Sequence, residues 1–327
     1  EEGGQDLRPG DFVVNYDHNH QRAAWADIIM FPATGDFAKF VFPTTHPQTQ
    51  AWVAIAGESS FWWEHVEELK EDPRFDLVMG YSRHFSHMHA SYYPDNFTHI
   101  LAARSEEYRR EHTWPLDLIE AINTSADVVF FASNCNSEFR QSWVEGLMEA
   151  IPVDSYGACF NNKIMPEGLD RRQRLGDRDS TFESSPGSWR TAQGEQSNVK
   201  IQVMSRYKFG LAIENTRDPD YVTEKLFEVM EAGAVPVYLG APNWKDFIPW
   251  KDAIIDAGAY DSPHELADFL KLLAADESRY QAYHKWREEP VPERVRELEK
   301  TSFTHNLCNV CRWKLNRDDQ DVDDFRK

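Results

Sequence analysis

The segment 207–227 holds the densest set of residues that can do chemistry in this chain of 327 residues. A hydrophobic run ends at Glu214–Asn215, and Glu224 and Lys225 follow the helix-start pair Asp218–Pro219. Free N–H groups at a helix start, with a lysine nearby, form a site for a phosphate or diphosphate. Glu224 can accept hydrogen bonds from ribose or sugar hydroxyls. From composition alone, ordinary capping and surface charges explain these residues equally well.

A second concentration of titratable residues, Tyr81–His89, follows an apolar run at 76–80. The H-x-x-H-x-H spacing of His84, His87 and His89 suggests metal binding. However, residues three apart share a helix face, whereas residues two apart share a strand face. No carboxylate lies at a compatible spacing, and no D-x-D sequence stands at a persuasive strand end, since Asp177-Arg-Asp179 falls in a polar loop and Asp218-Pro-Asp220 at a helix start. We therefore predict no metal site and no required cofactor, and leave stimulation by manganese open.

One carboxylate of the N-terminal third is suited to act as a general base. Glu58 stands just past the apolar run Trp52–Ala56, where a crevice lies in parallel α/β sheets. Trp62 and Trp63 follow closely, and they can exclude water and offer flat faces to sugars. The alternative is a first-turn or N-cap glutamate of the helix predicted through these tryptophans.

The chain has four cysteines, Cys135, Cys159, Cys308 and Cys311. The first two end neighbouring candidate strands, so a disulfide across the strand tips is plausible, with free buried thiols as the alternative. The last two form a C-x-x-C pair near the C-terminus. A zinc site would need a second such pair or histidines, and a redox motif would stand early in a βαβ unit. We therefore predict a local disulfide, Cys308–Cys311.

Short apolar runs alternate with helical patterns, which is typical of α/β layers with parallel strands. The predicted strands lie near 12–14, 28–31, 52–56, 77–79, 127–131, 153–156, 207–213, 235–239 and 253–256. The predicted helices cover about 61–70, 137–150, 221–232 and 262–275, and Asp218–Pro219 or Thr223 caps the third. The polar stretch 166–198 is expected to form a long exposed loop. Two α/β domains fit the length, at 1–120 and 121–300, followed by a C-terminal tail at 301–327.

Composition excludes several classes of protein. Lysine and arginine total 35 against 55 aspartates and glutamates, so the net charge is −20. A surface this acidic repels phosphate backbones and anionic lipid, which argues against nucleic acid as a partner. A hydrophobic content of 41% excludes a mainly disordered chain. No apolar run approaches the ~20 residues of a membrane span. Because the chain begins at Glu1, we expect it to be processed or truncated, with any membrane anchor outside it.

Residues 207–261 resemble the signature of the α1,3/4-fucosyltransferases, glycosyltransferase family 10. The resemblance rests on Ile213-Glu-Asn-Thr, on Asp220-Tyr-Val-Thr-Glu-Lys-Leu-Phe and on Ala232-Gly-Ala-Val-Pro-Val-Tyr-Leu-Gly240. A second block, Phe131-Ala-Ser-Asn-Cys135 followed by Val153-Asp-Ser-Tyr-Gly-Ala-Cys159, is similar to the strand–helix–strand unit that opens the family's donor domain. The closing C-x-x-C also matches, and the N-terminal third resembles the family weakly.

The resemblance implies an α/β fold of the GT-B type, with two Rossmann-like domains facing a central crevice. It also implies transfer of fucose from GDP-fucose with inversion at the anomeric carbon. It places Asn215, Tyr221, Glu224 and Lys225 at donor-binding positions and Arg140 at the arginine that contacts the diphosphate. A guanidinium can bind phosphate oxygens bidentately, and the lysine adds a point charge that stabilises departing GDP. Without the resemblance, Arg140 is better interpreted as a solvated helix charge.

The resemblance also marks possible contacts of the acceptor or of fucose. In the family, the strand end before Arg83 and His84 lines the crevice, and Trp62 lies close to the proposed base in sequence. The family pattern often carries an acidic residue shortly after this arginine, whereas Phe85 and His87 stand here. His84 is therefore a rival base to Glu58, and the choice of acceptor stays open.

The predicted function is inverting transfer of fucose from GDP-fucose to a hydroxyl, expected to be O3, of GlcNAc in an N-glycan or LacNAc-type acceptor, with Glu58 as the base. Protein O-fucosylation on the same scaffold and a non-catalytic glycan-binding pseudoenzyme are the alternatives. Sequons at Asn96 and Asn123, with the paired cysteines, favour the secretory pathway. The resemblance implies a type II membrane glycoprotein of the Golgi lumen whose anchor and stem are absent from this chain.

Overall fold

The computed structural model describes residues 26–33, 50–60, 66–94, 124–164, 200–201 and 203–317. Trp62, the sequon asparagines Asn96 and Asn123, the predicted strand at 12–14 and the polar stretch 166–198 lie outside the described residues. No helix in the described ranges is long and apolar enough to cross a membrane.

The N-terminal part of the chain forms a parallel sheet with the strand order β1-β2-β3-β4. Its strands are β1 (Ile28–Pro32), β2 (Ala51–Ala56), β3 (Leu77–Gly80) and β4 (Met88–His89). Val53 of β2 lies opposite Leu77 of β3, and β3 is buried throughout. Continuous apolar runs of this kind are typical of strands that are covered on both faces. The strands predicted near 28–31, 52–56 and 77–79 are confirmed, whereas β4 lies inside the histidine cluster and was not predicted.

A second parallel sheet follows, with the strand order β6-β5-β7-β8-β9. Its strands are β5 (Val128–Phe130), β6 (Val153–Ser155), β7 (Phe209–Ile213), β8 (Val235–Leu239) and β9 (Ile255–Asp256). The first strand in sequence, β5, lies between the second and the third, so the order reverses between β5 and β7. Ligands of such sheets bind beyond the carboxyl ends of the strands at this switch point. The predicted α/β fold with two parallel sheets, as in the GT-B type, is confirmed.

Six α-helices with described bounds accompany these strands: α1 (Glu138–Ala150), α2 (Glu224–Ala232), α3 (Pro263–Ala275), α4 (Glu277–Ala282), α5 (Glu293–Glu299) and α6 (Phe303–Arg317). Residues 200–201 and 203–204 are also helical. Ser137 and Ser262 cap α1 and α3, because each hydroxyl accepts a backbone N–H three residues later. Helix α2 begins after Thr223. Asp218–Pro219 therefore does not start this helix, and the later start is the correct alternative. Only a short 3-10 helix, Val66–Glu71, is described within the predicted helix at 61–70.

The C-terminal residues return to the first sheet and cover one of its faces. Val310 and Trp313 of α6 are buried together with Val53 of β2 and Leu77 of β3. A parallel bridge between Ser91 and Ser302 fixes the start of this helix beside the end of β4. The segment that the sequence indicated as a tail therefore contributes to the core of the N-terminal sheet. Its apolar positions are few, but their spacing of three places them on one helix face.

Of the two predicted disulfides, one is present. Cys135 and Cys159 are bonded with their Cα atoms 5.4 Å apart, which joins the segments that follow β5 and β6. The predicted Cys308–Cys311 disulfide is wrong, because both residues are free thiols. They lie within the regular helix α6, where positions three apart point about 60° away from each other around the axis. Cys308 is exposed, and burial, with Cys308 nearby, raises the pKa of the half-buried Cys311 thiol.

Thiol labelling distinguishes these four cysteines. Without reductant, iodoacetamide should modify Cys308 first and Cys311 more slowly, because the thiolate is the reactive form and a raised pKa makes it scarcer. Cys135 and Cys159 should react only after reduction. Peptide mass spectrometry measures each modification. Recovery of a peptide two mass units lighter, with an oxidised Cys308–Cys311 pair, would contradict the helix geometry.

Candidate functional site

The carboxyl ends of β2, β3 and β7 lead into loops that contact one another, and this contact region is called the crevice below. Glu58 follows β2, Tyr81 follows β3, and the loop 214–223, called the crevice loop below, joins β7 to α2. Hydrogen bonds between these loops connect residues more than 130 positions apart in sequence. The two sheets therefore meet where parallel α/β sheets place their ligands.

Glu214 fixes the two ends of the crevice loop. Its side chain has no exposure to solvent, and its carboxylate accepts the Thr223 N–H at 2.8 Å and the Thr223 hydroxyl at 2.8 and 2.9 Å. The Lys225 Nζ lies 3.1 Å from Glu214 Oε2. The carboxylate thus accepts the N–H of the N-cap residue itself, the role that the third-position glutamate of a capping box usually takes. The Thr223 N–H is therefore not available to a phosphate.

Lys225 is a cation held among acceptors. Besides Glu214, its Nζ contacts the Thr223 hydroxyl at 2.8 Å and Glu224 at 3.3 Å. Burial alone would lower the pKa of Lys225, but the two carboxylates outweigh burial and hold this pKa above its ordinary value. Burial raises the pKa of Glu214, against the opposing effect of Lys225. Burial also acts to raise the pKa of Glu224, but Lys225 and Lys200 lower it by more.

Arg140 brings a second cation to the crevice. It lies in the first turn of α1, where Ser137 caps the helix, and it is 4% exposed. Its Nη2 donates to the Asn134 carbonyl. Burial lowers the pKa of Arg140, and the negative groups around it, of which Glu214 is the largest contributor, partly offset this. Its burial excludes the alternative of a solvated helix charge.

Two buried polar side chains lie at the switch point itself. The Ser137 hydroxyl donates to the Asn215 carbonyl at 2.6 Å, which joins the start of α1 to the end of β7. Within the described residues, Asn215 Oδ1 and Thr216 Oγ1 are buried and have no hydrogen-bond partner. Buried polar atoms are nearly always paired, so both are suited to a ligand hydroxyl. Sequence reasoning missed Thr216, although its position directly after Asn215 was a usable signal.

The structure brings Glu58 to Tyr221, 163 residues away. The Tyr221 hydroxyl donates to Glu58 Oε2 at 2.9 Å, although Glu58 itself is exposed. The tyrosine ring is 2% exposed and packs edge-on against Tyr81 at a centroid distance of 4.9 Å. Burial, with Tyr92 and Glu58, raises the pKa of Tyr221 well above its ordinary value, so the phenol stays a donor. The hydrogen bond from Tyr221 orients the Glu58 carboxylate and leaves lone pairs on both of its oxygens that can accept a proton.

Arg83 already has partners across the crevice. Its backbone N–H donates to Asp220 at 2.9 Å, and its guanidinium lies 3.5 Å from Asp220 and 3.3 Å from Asp246. The guanidinium also stands over the Phe247 ring, with 5.1 Å between its Cζ and the ring centroid. Arg83 therefore connects the two halves of the crevice, and its predicted contact with acceptor or fucose stays a prediction.

The histidines that follow Arg83 do not join the Glu58–Tyr221 pair. In the described ranges, no hydrogen bond or ion pair joins the exposed His84 ring to Glu58 or Tyr221. His87 Nδ1 accepts the Val78 N–H at 3.0 Å. Burial lowers the pKa of His89 to about 4, so this ring is neutral at pH 7. No group of three or more possible metal ligands was found among the described residues.

Comparisons with known proteins connect this geometry to one family. The sequence model of glycosyltransferase family 10 (fucosyltransferase), C-terminal part, matches residues 122–326. GDP-fucose protein O-fucosyltransferase 3 of Danio rerio is 33% identical over 284 residues, covering 84% of this chain and 54% of the relative. The Bos taurus protein of the same name is 29% identical over 288 residues, covering 84% and 52%. Alpha-(1,3)-fucosyltransferase B of Drosophila melanogaster is 27% identical over 274 residues, covering 82% and 55%.

The chain spans about half the length of these curated relatives. Among solved structures, a crystal structure of α1,3-fucosyltransferase with GDP-fucose aligns with a TM-score of 0.48 and 17% identity, covering 82% of this chain and 71% of that one.

The ion pair between Lys225 and the buried Glu214 predicts a clear effect on stability. Lys225→Met keeps the length of the side chain but leaves Glu214 buried without its partner, so the free energy of unfolding should fall by about 3 kcal/mol. Glu214→Gln in the same chain should restore much of the loss, because the amide oxygen can still accept from Thr223. Urea unfolding measures the free energy of unfolding of Lys225→Met, alone and combined with Glu214→Gln. Lys271→Met is the control, since this lysine pairs with Asp268 on the exposed face of α3. Equal losses in Lys225→Met and Lys271→Met would contradict the role of Glu214.

Proposed function

The chain belongs to glycosyltransferase family 10, the fucosyltransferases, and on this premise we propose that it transfers fucose from GDP-fucose to an acceptor hydroxyl with inversion. The observation that carries the proposal is the Glu58–Tyr221 hydrogen bond of 2.9 Å, near the buried Arg140 and the partly buried Lys225. A candidate base from one half of the chain thereby meets the candidate donor site of the other half.

In this proposal, Arg140 and Lys225 bind the diphosphate of GDP-fucose. Both side chains lie among buried groups, where a positive charge acts more strongly than in water. They stabilise the negative charge that grows on GDP as it departs. Because two side-chain cations neutralise the diphosphate, the proposal needs no metal ion. Asn215 and Glu224 accept hydrogen bonds from hydroxyls of the donor.

Glu58 is the base of the proposed reaction. The acceptor oxygen attacks the anomeric carbon of fucose from the face opposite GDP, and its proton passes to Glu58. The bond between that carbon and the diphosphate oxygen breaks, and GDP leaves with its electron pair. One displacement of this kind inverts the configuration. The Tyr221 hydroxyl holds the Glu58 carboxylate in the crevice while the proton is transferred.

The first candidate acceptor is O3 of a GlcNAc residue in an N-glycan or LacNAc-type glycan. A polypeptide hydroxyl is the second, because two of the relatives described above are named GDP-fucose protein O-fucosyltransferase 3. We place the protein in the lumen of the secretory pathway, with the Golgi as the expected compartment. The Cys135–Cys159 disulfide supports this placement, because such bonds persist in oxidising compartments.

A Glu58→Gln variant tests the base. The amide can still accept the Tyr221 hydrogen bond but is a far weaker base, so kcat should fall by ~10²–10⁴-fold while GDP affinity stays within about twofold. GDP release measures turnover, and calorimetry measures GDP affinity. Glu297→Gln on the exposed face of α5 serves as the control. Turnover close to that of the unchanged protein would transfer the role to His84.

An acceptor panel tests the reaction and its substrate. We expect GDP release from GDP-fucose with a GlcNAc-containing N-glycan or LacNAc, and the same rate in EDTA, because Arg140 and Lys225 neutralise the diphosphate. Release only with a polypeptide would favour the second acceptor. GDP binding without release in the presence of any acceptor would support the non-catalytic alternative and contradict the proposed transfer.

A further inference from the structure

One carboxylate oxygen in the crevice loop accepts three hydrogen bonds from the first half of the chain. Asp218 Oδ2 lies 2.9 Å from the Ser60 N–H, 2.9 Å from the Ser60 hydroxyl and 3.1 Å from the Tyr81 hydroxyl. Ser60 also donates its N–H to the Tyr81 oxygen at 3.0 Å, which closes a three-residue network. In sequence, Ser60 follows Glu58 by two residues, and Asp218 precedes Tyr221 by three.

The Tyr81 hydroxyl acts as a hydrogen-bond donor in this network. Tyr81 is 1% exposed, and burial, with the charge of Asp218, raises its pKa well above the ordinary value. The phenol therefore keeps its proton and remains a donor to Asp218. Hydrogen bonds to an ionised carboxylate are about twice as strong as those between neutral groups. Asp218 was interpreted from sequence as a helix cap, but its carboxylate contacts Ser60 and Tyr81 in the other half of the molecule.

The backbone around Glu58 is held on both sides. The Gly57 carbonyl accepts the Tyr92 hydroxyl, and the Ser60 N–H is bound to Asp218. Glu58 itself is exposed, and its one hydrogen bond in the described ranges goes to Tyr221. The position of its carboxylate therefore depends on how firmly the backbone of residues 57–60 is fixed.

Asp220, the next carboxylate of the crevice loop, also binds a backbone N–H of the first half of the chain, in the segment that follows β3. Asp220 accepts this N–H from Arg83. It adopts a positive φ of 66°, and Asn243 exchanges two hydrogen bonds with it, at 2.8 and 2.9 Å. The loop is thus held by α2 through Glu214, by the turn after β8 through Asn243, and by the first half through its two aspartates. A loop held at so many points can serve as a fixed reference for Glu58.

We propose that Asp218 is a positioning residue that holds the Glu58 loop against the donor site through Ser60 and Tyr81. This inference rests on the proposed role of Glu58 as base. Asp218 and Tyr221 share one short loop, so the contact with Ser60 and the contact with Glu58 fix the base relative to the donor-binding residues. A base displaced by about 1 Å can lose ~10²-fold in rate.

The test combines Asp218→Asn and Asp218→Ala with Glu58→Gln in the full chain. Each Asp218 variant should lower kcat by about 10- to 100-fold, with the alanine variant lower, and should leave GDP affinity within about twofold. In the Glu58→Gln background, Asp218→Asn should lower kcat no further, because the base that it positions is already disabled. Asp268→Asn on the exposed face of α3 should leave kcat unchanged.

Tyr81→Phe keeps the charge of Asp218 and removes one donor, so it should lower kcat by a smaller factor. Hydrogen exchange of the peptide that contains residues 57–60 should accelerate in Asp218→Ala, which reports the loop without reference to activity. Unchanged hydrogen exchange in Asp218→Ala together with normal kcat would overturn the role of Asp218. A further loss of kcat when Asp218→Asn is added to Glu58→Gln would also overturn it. Normal turnover in Glu58→Gln alone would instead overturn the base, and the two failures are thereby distinguished.

Discussion

A carboxylate with no access to solvent determines the shape of the crevice. Burying Glu214 is unfavourable unless its charge is matched, and the chain matches it with Lys225 and with both donors of Thr223. These bonds close the crevice loop between β7 and α2. Asn215, Asp218 and Tyr221 all project from this loop, so their positions depend on this compensated charge.

The sequence determines the secondary structure and one half of the site well. The β7 and β8 runs are buried and apolar, so their strand character was readable without tertiary information. Arg140 and Lys225 were assigned through the resemblance, since neither side chain carries a local signal of burial. The interactions of Asp218, the packing of α6 and the free state of Cys308 were missed. Each depends on a partner far away in sequence or on side-chain direction around a helix, which local patterns do not encode.

The net charge of −20 and the cationic donor site are compatible because the acidic residues have separate roles. Glu214 and Asp218 lie in the crevice, where their carboxylates accept hydrogen bonds from Thr223, Ser60 and Tyr81. The exposed carboxylates of α3 and α5 face the solvent. Overall acidity is a reason to expect no nucleic-acid partner, but it does not describe the local field at Arg140, which the surrounding groups and the burial of this side chain determine.

Helix α6 affects the order in which the protein can fold. Its residues Val310 and Trp313 cover strands that are made more than 200 positions earlier in the chain. During synthesis, Val53 and Leu77 of the N-terminal sheet therefore lack this cover until α6 has left the ribosome. Contacts this distant in sequence are slow to form and leave apolar surface open to aggregation meanwhile. The N-terminal sheet is thus completed only after α6 has been made, although its strands precede α6 in the sequence.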